Sequence, residues 1–133
     1  VPDEPTIKLW KNYTRGLAAA GRLDHKRNTL VLDGIPRNVH QAQMLDRFLN
    51  VVAVFYMCSA NFENLVKRLQ RRALKDNRLD DANMDVIRAR LKTYEKETKP
   101  VLNYYGKKLV HQINTDGTPP QTFLKILRHV VKF

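Results

Sequence analysis

Three short runs punctuate the chain and limit what it can become: "TLVLDG" at 29–34, "VVAVFYMCS" at 51–59 and "LVHQINT" at 109–115. The first two are continuously apolar, not alternating, and are bounded by turn residues. A strand covered on both faces reads this way, and such strands belong to parallel sheets flanked by helices. The segments between the runs carry helical patterns. Strands alternating with helices predict an α/β domain with a parallel sheet.

The helical segments follow from their own punctuation. "PDEP" at 2–5 suits a first turn, with acids and prolines where unbonded N–H groups point outward. Ile7, Trp10 and Leu17 mark the apolar side of that helix, and Gly21 ends it. "GRLDHKRN" is a polar loop. A helix is predicted over 39–49, with Met44, Leu45, Phe48 and Leu49 as its apolar set. Ser59 and Asn61 are candidate caps for a helix over 62–74. "KDNRLDD" interrupts it, and Asp81 is the candidate cap of the next helix, over 82–98. Pro100 marks a break or kink before "VLNYYGKK". "DGTPP" is a turn, and Pro119-Pro120 lead into the last helix. No internal repeat, low-complexity tract or long linker interrupts the pattern.

Length and charge narrow the class. The 133 residues suffice for one domain with a core, and 43% hydrophobic against 28% charged residues is a globular balance. No apolar run approaches a membrane span, and the N-terminus has no signal-peptide pattern. A start on Val1 implies that the natural start was removed or lies elsewhere. The single cysteine, Cys58, cannot close an internal disulfide, so a reducing cytoplasm is expected, with Cys58 as a small buried hydrophobe. Against 13 Asp+Glu stand 24 Lys+Arg, a net charge of +11. That implies an anionic partner: a nucleic acid, a phosphorylated small molecule or an acidic surface. The arrangement of the arginines has to choose among them.

In parallel α/β folds ligands bind beyond the carboxyl ends of the strands. "DGIPR" at 33–37 lies there. An acid at a strand exit can hold a water on Mg²⁺ or accept from a lysine. Gly34 lets a ligand approach the backbone. Pro36 stiffens the turn, so Arg37 points at a fixed place and suits bidentate phosphate binding. A second group comprises Arg68, Arg71, Arg72, Arg78, Arg88 and Arg90. Several arginines around one mobile loop suit a transferring phosphoryl group, whose charge spreads over its oxygens. On these residues alone, a plain strand–turn–helix and a solvated basic helix remain open as the simpler alternatives. His25, His40, His111 and His129 are scattered without metal-ligand spacing and read as surface or internally satisfied residues. Trp10, Tyr104 and Tyr105 read as core and helix-packing residues.

"VPDE", "LVLDGIPRNVHQ", "RLQRRALKDNRLDD" and "RARLKTYEKETKPVLNYY" occur in this order. Together they resemble the adenylate kinases of the short-lid form, across nearly all of the chain. The resemblance implies one adenylate-kinase-like domain with a partial core over 1–133, in which 1–28 is the remainder of an AMP-binding region and 72–82 a short lid. The implied fold is part of a P-loop-kinase parallel sheet, with three strands here, flanking helices and the central P-loop strand missing. The implied AMP-binding residues are Val1 through its backbone, Gly34, Arg37 on the phosphate and Gln41 on the adenine edge. Asp33 matches the acid beside Mg²⁺, acting through water. Arg68 resembles the arginine lying on the ATP adenine, and Arg72 one gripping ATP phosphates. Arg78 and Arg90 resemble the lid arginines that close over both phosphate chains. Pro119 falls where a backbone carbonyl meets the ATP base.

Gln41 follows Arg37 by four residues, so one helical turn can place both at one ligand, and a glutamine can pair bidentately with an adenine edge. Ile35 stands where the family usually has phenylalanine. Asn77 replaces the glycine before the lid arginine, and Asn tolerates the left-handed conformation. Arg71 and Arg88 match no role. The largest departure is that the 133 residues contain no "GxxxxGK[ST]". The family's sheet order puts the P-loop strand between the first two runs, so they would face a slot about two strand spacings wide, roughly 9.5 Å. The expectation is the C-terminal two-thirds of a kinase whose partner is the missing N-terminal segment.

The implied function is the phosphotransferase reaction ATP + AMP ⇌ 2 ADP with Mg²⁺, in the cytoplasm, with this chain supplying the AMP loop and lid arginines. The alternatives are a non-catalytic nucleotide-binding or scaffold module derived from such a kinase, or a kinase for another nucleoside monophosphate. The implied partners are ATP and AMP or ADP. A membrane partner is not expected, and a nucleic acid is disfavoured because no stacking aromatic platform is visible.

Overall fold

The computed structural model describes residues 2–24, 26–78 and 82–132. The chain divides into two compact units, Val1–Asn50 and Val51–Phe133.

The first unit is built on helices α1 (Asp3–Ala19) and α2 (Val39–Leu45). Asp3 and Glu4 sit in the first turn of α1, where carboxylates meet the positive end of the helix dipole. Gly21, at φ 69°, ends the helix as its sequence predicts. Its N–H donates to Ala18 O at 3.0 Å and that of Arg22 to Leu17 O at 2.9 Å, the paired bonds of a Schellman cap. Ile7 from α1, Leu23 from the loop, and Ala42 and Leu45 from α2 form the core. Helix α2 stops four residues short of its predicted end. Phe48 is left 49% exposed, with Lys11 Nζ 3.7 Å from its ring centroid.

The run at 29–34 departs from expectation. It forms no strand, and Val31 is 91% exposed. A strand needs a neighbour for its backbone N–H and C=O groups. Among the described residues none pairs with this segment, so it joins no ladder.

The second unit holds the sheet. Strands β1 (Val54–Cys58) and β2 (Val110–Asn114) run parallel, in register from Val54 opposite Val110 to Cys58 opposite Asn114. The sheet therefore has two strands among the described residues, not three; the predicted first strand is the missing one. Helices α3 (Phe62–Lys75), α4 (Met84–Thr93) and α5 (Pro100–Tyr105) lie between the strands in sequence, and α6 (Pro119–Val130) follows β2. This is an α/β architecture with a small parallel sheet flanked by helices, a partial kinase-type core. Ile87, Val101 and Ile113 are buried, with Val66 and Ala73 from α3. Cys58 is half-buried and points its thiol at Ile113 O, 3.5 Å away.

Pro100 has a traceable effect. It has no N–H to offer and its ring crowds the preceding turn. The chain widens into a π-helical turn, Tyr94–Thr98, just before it. The Lys99 N–H reaches back five residues to Tyr94 O at 2.9 Å, and helix resumes at Pro100. Among the described residues no helix is long and apolar enough to cross a membrane.

Candidate functional site

In the first unit the turn 33–38 is closed by its own side chains. Gly34 adopts φ 81°, a conformation costly for any residue with a Cβ. The turn contains the cis Ile35–Pro36 peptide. Arg37 Nε donates to Gly34 O at 2.8 Å, so the guanidinium is anchored at one edge. Asn38 caps α2, its side chain accepting from Gln41 N at 2.8 Å. The Gln41 side chain reaches back to Arg37 N, Oε1 accepting at 2.8 Å. This is a capping box displaced outward by one residue. Gln41 Nε2 then donates to Asp3 Oδ1 at 2.7 Å.

Asp3 joins α1 to this turn. Its carboxylate also accepts from Asn38 Nδ2 at 3.0 and 3.1 Å. His40 Nδ1 lies 3.1 Å from Oδ2. Hydrogen bonds from Asn38, Gln41 and His40, in that order of weight, hold the Asp3 carboxyl below its ordinary value. Gln41 is 4% exposed, the one buried polar side chain among the described residues. Asp33 is exposed. Val1 lies outside the described residues.

In the second unit the strand exits are stitched together. Thr115 N and Oγ1 both donate to Cys58 O, at 2.8 and 2.9 Å. Asp116 accepts from the Ser59 hydroxyl and from Ala60 N, the latter at 2.9 Å. These bonds, the Ser59 one foremost, hold the Asp116 carboxyl below its ordinary value. Arg68 on α3 donates from Nη1 to both Thr115 O and Thr115 Oγ1, each at 3.0 Å. An open cavity of about 360 Å³ lies here, lined by Asn64, Lys67, Arg68, Arg71, Thr115 and neighbours. The α3 residues follow the i, i+3, i+4, i+7 stripe of one helix face. Arg71, unmatched in the sequence reading, thus shares the cavity with Arg68, whereas Arg72 does not line it.

Arg72 and Arg78 are exposed around the end of α3. That end is a second Schellman cap: Arg78 N donates to Ala73 O at 2.8 Å and Asn77 N to Leu74 O at 3.1 Å. Asn77 stands at φ 54°, so the substitution for glycine keeps the left-handed turn. Asp81, the candidate cap of α4, lies outside the described residues with 79 and 80. The N-cap of α4 is Asn83, which accepts from Asp85 N at 2.8 Å. Arg90 is exposed on α4, and Arg88 lies 3.8 Å from Asp85 on the same helix. Pro119 is the first residue of α6, behind its Thr118 cap. Asn61 caps α3 as predicted, while Ser59 serves Asp116 instead.

Sequence reasoning missed Asp3, Asn38, Thr115 and Asp116. The Asn38–Gln41 spacing was a readable capping signal, whereas the Asp3 link spans 38 positions and had none. Two of the histidines meet: His111 on β2 and His129 on α6 have ring centroids 4.7 Å apart at a tilt of 30°, both beside Phe55. His25 lies outside the described residues.

One acid exposed at a turn does not make a metal cage. Among the described residues no group of three or more His, Cys, Asp or Glu side chains could hold an ion. An exposed carboxylate such as that of Asp33 could at most orient a water on a divalent ion carried in by a phosphate chain, which is how Mg²⁺ is commonly held.

The family profile described as "Adenylate kinase" matches residues 1–110. The chain is 34% identical over 103 residues to adenylate kinase isoenzyme 1 of Gallus gallus, covering 77% of this chain and 53% of the relative. It is 32% identical over 131 residues to the Sus scrofa isoenzyme 1, covering 98% of this chain and 64% of the relative. An adenylate kinase of Thermus thermophilus is 32% identical over 102 residues, covering 73% of this chain and 54% of the relative. The chain thus spans between half and two-thirds of the length of these relatives.

Proposed function

Because this chain belongs to the adenylate kinase family, we propose that it serves the reversible transfer ATP + AMP ⇌ 2 ADP, supplying the AMP loop and the lid arginines. The observation that carries this reading is the closed turn at 34–41. Gly34 O holds Arg37 Nε, and Gln41 sits one helical turn on with its amide fixed. An arginine anchored at one edge is held in a fixed place, which favours the recognition of a phosphate group.

In this reading Arg37 binds the AMP phosphate, Gln41 the adenine edge, and Gly34 and the Val1 backbone border the nucleotide. Arg68 and Pro119 meet the ATP base, and Arg72 the ATP phosphates. Arg78 and Arg90 stabilise the charge that develops on the transferring group, and catalysis is positioning and charge stabilisation without a covalent intermediate. Lid closure over 72–82 keeps water from accepting the phosphoryl group. Mg²⁺, bound with the nucleotide, would neutralise phosphate charge, with Asp33 orienting one of its waters. The single thiol Cys58 agrees with a reducing, cytoplasmic setting. The alternative reading is a nucleotide-binding or scaffold module without catalysis.

A coupled assay for ADP formation from ATP, AMP and Mg²⁺ separates the two. It is run on the chain alone and with the P-loop-bearing N-terminal segment of a relative added. Turnover in either case, lost in Arg78→Ala, is the expected result. Nucleotide binding without turnover under both conditions would favour the binding module.

A further inference from the structure

Gln41 is clamped at both ends by groups that each allow one hydrogen-bonding role. A backbone N–H can only donate, so the group facing Arg37 N, at 2.8 Å, must be the amide oxygen. A carboxylate can only accept, so the group facing Asp3 Oδ1, at 2.7 Å, must be the amide nitrogen. A glutamine amide is otherwise free to turn over, exchanging donor and acceptor. Here reversal would set N–H against N–H at one end and oxygen against carboxylate at the other. An amide oxygen carries a second lone pair and an amide nitrogen a second hydrogen, and with both ends clamped the order of acceptor and donor is fixed.

Resting on the function proposed above, we infer that Asp3 is a specificity-setting positioning residue, locking the Gln41 amide in the one orientation that pairs with a 6-aminopurine monophosphate and rejects a 6-oxopurine. The chemistry is a matter of order. A 6-aminopurine edge offers an exocyclic donor beside a ring-nitrogen acceptor. A 6-oxopurine offers an exocyclic acceptor beside a ring N–H. An amide that can turn accepts both, whereas a fixed amide leaves the wrong edge with two opposed donors and two opposed acceptors. Asp3 is well placed for this, since its carboxylate is itself held by Asn38 Nδ2 and by His40. Asp3 belongs to α1 and Gln41 to α2, so the lock also fixes the spacing of the two helices within their unit.

The test is calorimetric binding of AMP and IMP to the full chain and its variants, with the Gln41 side-chain amide followed by NMR. The intact chain should prefer AMP and show slowly exchanging Gln41 amide protons. Asp3→Asn, which keeps the shape but can donate as well as accept, should lose on the order of tenfold of that preference. Asp3→Glu, with its carboxylate moved by one methylene, should lose it too and serves if Asp3→Asn does not fold. His40→Ala should keep the preference, since it leaves the Asp3–Gln41 bond in place. Arg37→Ala should weaken AMP and IMP alike. An undiminished AMP preference in both folded Asp3 variants, with binding still sensitive to Arg37→Ala, would overturn this inference alone. AMP binding that is absent, or indifferent to Arg37→Ala, would overturn the AMP-loop reading and this inference with it.

Discussion

At the scale of single residues, backbone sign decides more than side-chain chemistry. Gly34 and Asn77 both stand at positive φ, at 81° and 54°. In each case an arginine follows the turn, Arg37 after Gly34 and Arg78 after Asn77. Asn77 shows that the position asks for left-handed tolerance, which asparagine has, and not for glycine as such. Asp3 acts through charge. Hydrogen bonds from Asn38, Gln41 and His40 hold its carboxyl below the ordinary 3.8, so the folded state favours the ionised form. Its contribution to stability is therefore complete above that ordinary value and is lost as pH falls through the lowered folded value. Acid titration followed by the fluorescence of Trp10, the single tryptophan, should show this loss. In Asp3→Asn the same titration should have a shallower acid limb, and an unchanged limb would remove Asp3 from the acid response.

At the scale of elements, helix ends obeyed local chemistry and the first strand did not. Asn61 and Asn38 cap α3 and α2, and Thr118 with Gln121 forms a complete capping box for α6. Gly117 abuts that box: a Cβ there would come within 2.5 Å of Gln121 Oε1. Thr118→Ala should cost about 1 kcal/mol, read as a lower denaturant midpoint with unchanged slope. A cost near zero would mean that Pro119 and Pro120 alone start the helix. The 29–34 run shows the opposite case. Its composition is that of a buried strand, yet strand formation depends on a neighbour that lies outside any local window.

At the scale of the whole chain, the net charge of +11 bears on anionic ligands collectively. The exposed Arg72, Arg78 and Arg90 add a long-range field to whatever contacts they make. On the function proposed above, raising the salt concentration should weaken AMP and ATP binding, with the larger loss for ATP, which carries more charge; equal, small losses would place the binding energy in short-range contacts instead. The same scale explains the sheet. Two strands in parallel register leave outer edges on both β1 and β2 that these described residues do not pair.

The sequence by itself determined what nearest neighbours enforce. The end of α1 at Gly21, the Asn61 cap, the left-handed turn at Asn77 and the break before Pro100 were all legible, because each follows from φ preference or a hydrogen bond a few residues away. The motif order also carried the family. Only the tertiary structure decided what distant residues share. It buried the Gln41 amide and clamped it with Asp3, placed Arg71 with Arg68 on one cavity, brought the His111 and His129 rings together, and left 29–34 without a ladder among the described residues. Periodicity records which face of a segment is apolar. It carries no information about which remote N–H, carboxylate or strand edge will meet that face, and those meetings decide orientation and pairing.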